Sequence, residues 1–322
     1  MNVSTAMPRF PELDGWRAIS ILLVLAGHLF PLGPKSLNVN ESVAALGMAI
    51  FFTLSGFLIT TTLLHRQSVG EFMTRRLCRI LPLAWVFTIG ALLVAQAPAP
   101  DFIAQLLFFS NVPPFWLTDY TSHLWSLCVE MQFYFGIALV VLVFGRRGLW
   151  AIPVVGLLVT VHRIETHTLL SIVTSVRLDE ILAGGTLALV CNGKLPAIAG
   201  FLRWVNPLVL LPLSVAASNT LCGPLDYLRP YIVASMVGST LFHQGRAAEY
   251  LKVKWLAYIA AISYALYILH PIVGWGWLGS GTKAIKYAKR IPELAAVFGL
   301  AHLSTFYFED FWIRKGKAWG TR

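Results

Sequence analysis

Two ionisable side chains, Arg17 and His28, lie in an apolar stretch near the start of the chain, residues 14–30. They are eleven residues apart, so an α-helix would place both on one face, about 16 Å apart along its axis. We expect a membrane-spanning helix with the imidazole about halfway through the bilayer. Ionisable residues inside a membrane are costly and usually functional. The pair therefore indicates a polar site, and a snorkelling arginine with a hydrogen-bonded structural histidine is the alternative.

A carboxylate occupies a second apolar stretch, HLWSLCVEMQFYF, at residues 123–135. One helix face there would carry Ser126, Glu130 and Tyr134, which follow each other at intervals of four residues. Trp125 falls on a neighbouring face. A carboxylate in hydrocarbon needs a partner or a proton, and Arg17 is one candidate partner. We expect Glu130 in the same cavity as His28, orienting the imidazole or a substrate hydroxyl; an ion pair that fastens two helices is the alternative.

A basic cluster follows the second apolar span and contains Arg75, Arg76 and Arg79. Two of these arginines are one helical turn apart with the third alongside, so they could clasp a polyphosphate through bidentate, charge-assisted hydrogen bonds. The alternative is a loop that only sets the topology, because positively charged loops stay on the cytoplasmic side.

Two further stretches place polar side chains beside apolar helices. In VRLDEILAGG, Arg177 and Glu180 are three residues apart and can pair, which would leave Asp179 facing elsewhere. In SYALYILHP, Tyr267 and His270 share a face, and the proline after the histidine predicts a kink. Either stretch could be an ordinary interfacial cluster or part of a site.

The composition predicts an all-α, polytopic transmembrane bundle. Of the 322 residues, 57% are hydrophobic and only 12% are charged, which is about half the charge of a soluble domain. Apolar runs predict about ten spans in one membrane-embedded domain, residues 1–322, with a cytoplasmic lead at 1–15 and a cytoplasmic tail at 314–322. The spans are expected near 16–33, 43–64, 81–96, 124–144, 149–162, 169–191, 204–218, 230–244, 255–279 and 292–312, with 101–112 interfacial or re-entrant.

Several classes of function are disfavoured. The net charge of +10 comes from loops between spans, which fits anionic lipid headgroups and argues against nucleic acid. The four cysteines and eight histidines show no metal-binding spacing, so no metal is expected. There is no Walker loop and no GxSxG elbow. The basic residues of the 280–291 loop fall on the outer side in the ten-span count, in conflict with the positive-inside rule.

Six stretches, in this order, resemble the acyltransferase-3 family of membrane acyltransferases: LDGWRAISILLVLAGH, FFTLSGFLIT, RRLCRILPLAW, HLWSLCVEMQFYF, VRLDEILAGG and SYALYILHP. The resemblance implies acyl transfer, commonly of acetyl from acetyl-CoA or another acyl-CoA donor, to a hydroxyl of a cell-envelope glycan or a secreted small molecule. It also implies that His28 is the catalytic histidine with Arg17 as its essential partner, and that the three-arginine cluster lies near the CoA. A bacterial cytoplasmic (inner) membrane location with both termini cytoplasmic is expected, and homo-oligomerisation is left open.

The chain departs from the family pattern at Ala49, where relatives often carry an acidic residue. Any role of that acid is absent here or shifted, with Glu130 as one candidate. The extra hydrolase-like domain of longer relatives is not expected either. A secondary transporter or flippase of an envelope precursor is the main alternative function, since buried Arg, His and Glu would also suit a proton or substrate path. A non-catalytic scaffold is a third, and an acyl-histidine intermediate is the rival mechanism.

Overall fold

A computed structural model describes residues 10–65, 68–243 and 245–320, so the predictions for the first nine and the last two residues lie outside the described residues. These described parts of the chain contain no strand. Their α-helices are α1 (Pro11–Leu29), α2 (Val39–Leu64), α3 (Val69–Val94), α4 (Ala99–Leu106), α5 (Trp125–Phe144), α6 (Ile152–Glu165), α7 (Leu178–Cys191), α8 (Pro196–Trp204), α9 (Pro207–Ala217), α10 (Arg229–Phe242), α11 (Arg246–Leu251), α12 (Lys254–Leu269), α13 (Lys283–Leu303) and α14 (Asp310–Gly320).

The all-α membrane class is confirmed. Among the described residues, five helical stretches are long and apolar enough to cross a membrane, and the bent pair α7 and α8 would make a sixth if it counts as one span. One of the five, Ser122–Glu165, contains both α5 and α6. The predicted count of ten spans therefore stays a prediction, as does the single-domain division. The segment predicted not to cross forms only the eight-residue helix α4.

Several predicted boundaries are wrong, including that of the 280–291 loop, whose residues from Lys283 onward belong to α13. The basic cluster is not a loop, because Arg75, Arg76 and Arg79 lie inside α3, whose N-terminus is capped by Ser68. Residues 169–177 are not helical apart from a short 3₁₀ turn, so that predicted span shrinks to α7. At Pro271, where a kink is predicted, the α-helix ends at Leu269 and the helical stretch continues as a 3₁₀ turn over His270–Gly274. Proline has no N–H to continue the α-helical hydrogen bonds, which favours this ending.

Helix α2 is the centre of the bundle, with 78% of its most apolar window buried. It packs against α1 on one side and α7 on the other. A Cβ atom at Gly56 would stand 1.8 Å from the carbonyl oxygen of Ile181, and one at Gly184 would stand 1.9 Å from that of Thr53. The two helix backbones therefore touch, a packing that small residues permit in membrane bundles.

The C-terminal residues do more than form a tail. Ser304–Glu309 form a π-helical segment that leads into α14, and α14 packs along α3. Gly316 is buried against Cys78, where a Cβ atom would meet the cysteine side chain at 2.7 Å. The described part of the predicted tail is thus a helix that lies beside the basic cluster, and which side of the membrane it faces stays a prediction.

Candidate active site

A cavity lies between α1, α2, α3, α5 and α12. We call it the arginine cavity. It brings together seven of the site residues expected from the sequence: Arg17, Arg76, Arg79, Ser126, Glu130, Tyr134 and Tyr267. The i, i+4, i+8 spacing on α5 therefore does place Ser126, Glu130 and Tyr134 on the helix face that lines the cavity.

The arginine cavity carries an excess of positive charge. Three arginines from α1 and α3 line it, against a single carboxylate, that of Glu130. The nearest acid to Arg17 is Asp14, at 3.8 Å and one turn away on the same helix, and the Arg17 side chain is 22% exposed. Cations gathered around an opening with too few acids are suited to an anionic ligand.

Glu130 is held by hydroxyl groups. One carboxylate oxygen accepts hydrogen bonds from the hydroxyls of Ser55 and Tyr134. The guanidinium of Arg76 lies 5.8 Å from the centre of the Tyr134 ring. The structure does not bring Glu130 to His28, whose described partner is a different residue, so the expectation that this carboxylate orients the imidazole has no contact to support it.

A second cavity adjoins the first and shares Arg76 and Arg79 with it. Arg75 on α3 and Lys317 on α14 line its other walls. Arg75 also forms an ion pair with Glu71, and its side chain is 36% exposed. The mouth of the arginine cavity is therefore a cationic patch to which the C-terminal helix contributes a lysine.

At the opposite end of α1, three histidines come together. His28 Nδ1 lies 2.9 Å from His270 Nε2, and the two rings are nearly parallel. His123 packs edge-on against His270, with ring centres 5.3 Å apart. His28 is exposed in the last turn of its helix, at the end of α1 and not halfway along it, and its depth in the bilayer stays a prediction.

The hydroxyl of Tyr267 separates the cavity from the histidines. It hydrogen-bonds to Ser126 Oγ at 2.6 Å and donates to the backbone carbonyl of His123. The ring of Phe51 stacks on the Tyr267 ring at 6.3 Å. The arginine cavity thus ends at Ser126 and Tyr267, directly beside the histidine cluster.

Two of the expected site residues, Asp179 and Trp125, lie elsewhere. Asp179 belongs to a set of buried ion pairs, which we call the buried network; its members are Arg163, Arg177, Asp179, Glu180, Asp226 and Arg229. Arg177 pairs with Glu180 at 3.4 Å, as its spacing predicts, and Asp179 faces Arg163 at 2.6 Å. The Trp125 ring packs on Phe52 and on the Arg177 guanidinium rather than lining the cavity.

The sequence pattern missed His123, Ser55 and Lys317. His123 stands three residues before Ser126 in a stretch already singled out, and a second histidine near an apolar helix was a usable signal. Ser55 had only the weak signal of a hydroxyl in an apolar span. Lys317 had none, since its approach to α3 depends on how α14 folds back. Among the described residues, no group of three or more His, Cys, Asp or Glu side chains is arranged to hold a metal ion.

The chain belongs to the acyltransferase-3 family. The family model, described as an acyltransferase domain, matches residues 10–309 and so covers the arginine cavity and the histidine cluster. Three of the sequence stretches that resemble the family, those in α1, α3 and α5, contribute residues to the wall of the cavity, which agrees with this assignment.

Two curated relatives show the range of similarity. A protein of Staphylococcus aureus (strain COL) named "Putative O-acetyltransferase SACOL0978" is 26% identical over 315 residues, which is 82% of this chain and 50% of the relative. The peptidoglycan O-acetyltransferase OatA of Listeria monocytogenes is 31% identical over 149 residues, 38% of this chain and 23% of the relative. The matches thus cover between about a quarter and half of these relatives' length. No solved structure matches the chain.

Proposed function

We propose that this protein is an integral-membrane O-acyltransferase that moves an acyl group, acetyl in the simplest case, from acyl-CoA to a hydroxyl of a cell-envelope glycan. The relatives named as O-acetyltransferases support the reaction class, and the one named for peptidoglycan supports a glycan acceptor. We place it in a bacterial cytoplasmic membrane, with the arginine end facing the cytoplasm. A small secreted hydroxyl compound is the other acceptor class.

The observation that carries the proposal is the shape and charge of the arginine cavity. Its mouth carries Arg75, Arg76, Arg79 and Lys317, which suit the phosphates of CoA through charge-assisted hydrogen bonds. Its far end reaches Ser126 and Tyr267 beside the histidines. A long, flexible pantetheine arm with an acyl thioester at its tip fits a channel of this kind, polyanion at one end and reacting carbon at the other.

His28 has the chemistry for the transfer. A neutral imidazole takes the proton of the acceptor hydroxyl, and the oxygen then attacks the thioester carbonyl carbon. The carbon–sulfur bond breaks as the carbon–oxygen bond forms, and the proton passes to the leaving thiolate to give free CoA. Arg17, about 16 Å away along the helix axis, lies too far from this step to touch the reacting carbon and instead binds an anionic part of CoA.

The test uses the full chain purified in detergent with labelled acetyl-CoA and peptidoglycan fragments. We expect release of CoA that depends on the fragments, with label appearing on the glycan. General base catalysis contributes typically 10²–10⁴-fold, so His28→Ala should lose at least roughly that turnover while still binding acetyl-CoA. His162→Ala, at an exposed histidine of α6, is the matched control and should turn over normally.

Two results would count against the proposal. Normal turnover in a folded His28→Ala protein would exclude His28 as the general base. Absence of CoA release with any glycan or small hydroxyl acceptor, together with movement of an envelope precursor across vesicles, would favour the transporter. Stoichiometric CoA release without acceptor would instead indicate an acyl-histidine intermediate.

A further inference from the structure

We infer that His270 is a positioning residue that fixes the proton of His28 on Nδ1, so that His28 Nε2 stays unprotonated and can act as the catalytic base. This rests on the proposed function for its role in turnover, but the proton positions follow from contacts within the protein. A backbone carbonyl accepts hydrogen bonds and never donates them, so a nitrogen bonded to one must carry the hydrogen.

The hydrogen-bond chain starts at the carbonyl oxygen of Tyr267. It lies 2.7 Å from His270 Nδ1, so this nitrogen carries the proton. In a neutral imidazole the other nitrogen is then unprotonated, so His270 Nε2 accepts a hydrogen bond through its lone pair. His28 Nδ1 lies 2.9 Å from it and must supply the hydrogen. His28 Nε2 is left unprotonated.

The remaining nitrogen of His28 is available for chemistry. His28 Nε2 makes no hydrogen bond to any residue that the structure describes, and the side chain is exposed at the end of α1. His123 does not compete for His270: its Nε2 lies 3.3 Å from the carbonyl of Ile268, and it meets the His270 ring only edge-on. The contacts from the Tyr267 carbonyl through His270 to His28 therefore determine which nitrogen of each imidazole carries the proton.

This arrangement would act during turnover as the carboxylate of a serine hydrolase acts on its histidine. The acceptor hydroxyl gives its proton to His28 Nε2, and the Nδ1–H bond to His270 holds the resulting imidazolium in place. The same proton leaves from Nε2 to the CoA thiolate, so the Nδ1 proton is never transferred. The partner here is a neutral imidazole anchored by main chain, where the hydrolase uses a charged acid.

The first test reads the proton positions without activity. Nitrogen-15 NMR of histidine-labelled full chain in detergent, with His28 assigned by its loss in His28→Ala, should show Nδ1 protonated and Nε2 unprotonated. In His270→Leu the constraint is gone, and His28 should move toward the Nε2–H tautomer. A wild-type His28 with its proton on Nε2 would overturn the inference whatever the protein's reaction proves to be.

The second test compares two substitutions at one position. His270→Leu removes the acceptor, whereas the side-chain oxygen of His270→Gln can accept from His28 Nδ1. Losing a hydrogen bond to a charged group predicts that kcat falls roughly 10–100-fold in the Leu variant, with the KM for acetyl-CoA within about threefold, and that the Gln variant recovers most of it. Equal loss in both variants, or normal turnover in the Leu variant, would overturn the positioning role while leaving acyl transfer by wild type intact.

Discussion

The arginine cavity and the buried network are two charged regions of this molecule that differ in balance and in exposure. The network pairs three arginines with three acids, and every side chain in its ion pairs is 2% exposed or less. The cavity sets three arginines against one carboxylate, and Arg17 is 22% exposed. Buried charges that are already paired with each other are not available to a ligand, whereas unbalanced charges around an opening can still bind a counter-ion.

The difference separates structure from binding. Asp226 contacts two arginines, Arg163 and Arg229, which come from different helices. The network thereby ties α6, α7 and α10 together near the histidine end, where Asn219 also donates a hydrogen bond to the carbonyl of Leu37 in the α1–α2 connection. The network therefore holds the frame around the candidate site, whereas the cavity has unbalanced charge, which is why we propose it as the place where the substrate binds.

The largest expected effect comes from breaking the network at Asp226. Asp226→Asn removes a charge that neutralises two fully buried guanidinium groups, and breaking a buried pair in this way costs about 3–5 kcal/mol of unfolding free energy. The measurement is the loss of folded protein with temperature or denaturant in detergent. Arg314→Ala, at the exposed Arg314–Asp310 pair, is the control and should change stability by less than about 1 kcal/mol. A stable Asp226→Asn protein that has lost only turnover would make the network part of the site.

How much of this was open to prediction depended on distance along the chain. The shared face of Ser126, Glu130 and Tyr134 follows from a local four-residue period, and the structure places all three on the cavity wall. Likewise Arg177 and Glu180 are one turn apart. The network's longer contacts were out of reach, because Arg163 lies 16 residues from Asp179 and 63 residues from Asp226, and these side chains meet only through the fold. His28 and His270 are separated by 242 residues.

At Ala49, too, the sequence alone does not show which way a side chain faces in the fold. The sequence left open whether a missing acid at this position is replaced by Glu130. In the structure Ala49 is fully buried in an apolar cluster with Leu13 and Trp16 and does not line the cavity. The sequence pattern does not show whether a carboxylate at this position would face a cation, because that depends on how α2 is rotated against α1. The period of the apolar residues did not fix that rotation, because α2 is buried on nearly every side.

The next effect should appear at the cavity and only in binding. Arg79→Met removes one of three neighbouring cations while keeping an apolar stem of similar length. If Arg79 binds CoA phosphate, losing one charge-assisted contact costs roughly 1.5–3 kcal/mol, so the KM for acetyl-CoA should rise about 10–150-fold. Stability should stay equal or rise, because like charges are relieved.

The control for this variant is the KM for the glycan acceptor, which should change little. Equal rises in both constants, or a loss of stability as large as that of Asp226→Asn, would erase the distinction between the two regions.

Glu130 tests the cavity's one acid and should give an intermediate effect. Glu130→Gln removes the charge but keeps an oxygen that can accept from Ser55 or Tyr134. We expect a stability loss of about 1–3 kcal/mol from the weakened charged hydrogen bonds, and slower turnover by less than His28→Ala causes. Thermal unfolding and acetyl transfer measured on the same preparation would check this. Normal activity in Glu130→Gln, with unfolding in Glu130→Ala, would assign the residue a purely structural role.

The smallest effect should come from Arg177, the network member with the weakest pairing. Its contact with Glu180 is 3.4 Å, and Glu180 keeps a second partner, Arg229, at 2.7 Å. The Arg177 guanidinium lies over the Trp125 and Phe52 rings, 5.3 and 5.9 Å from their centres. Arg177→Met fills similar space and places a sulfur against the same rings, a contact that is itself favourable.

Because Glu180 stays paired, the Arg177→Met variant should lose only about 1 kcal/mol, well below the cost of leaving a buried charge alone. The unfolding measurement used for Asp226→Asn gives the comparison directly. A loss as large as that of Asp226→Asn would mean that the network acts as one unit and that its members cannot be ranked by their contacts. A small loss of stability with a large loss of turnover would instead place Arg177 in the site, through the Trp125 ring that it holds beside Ser126.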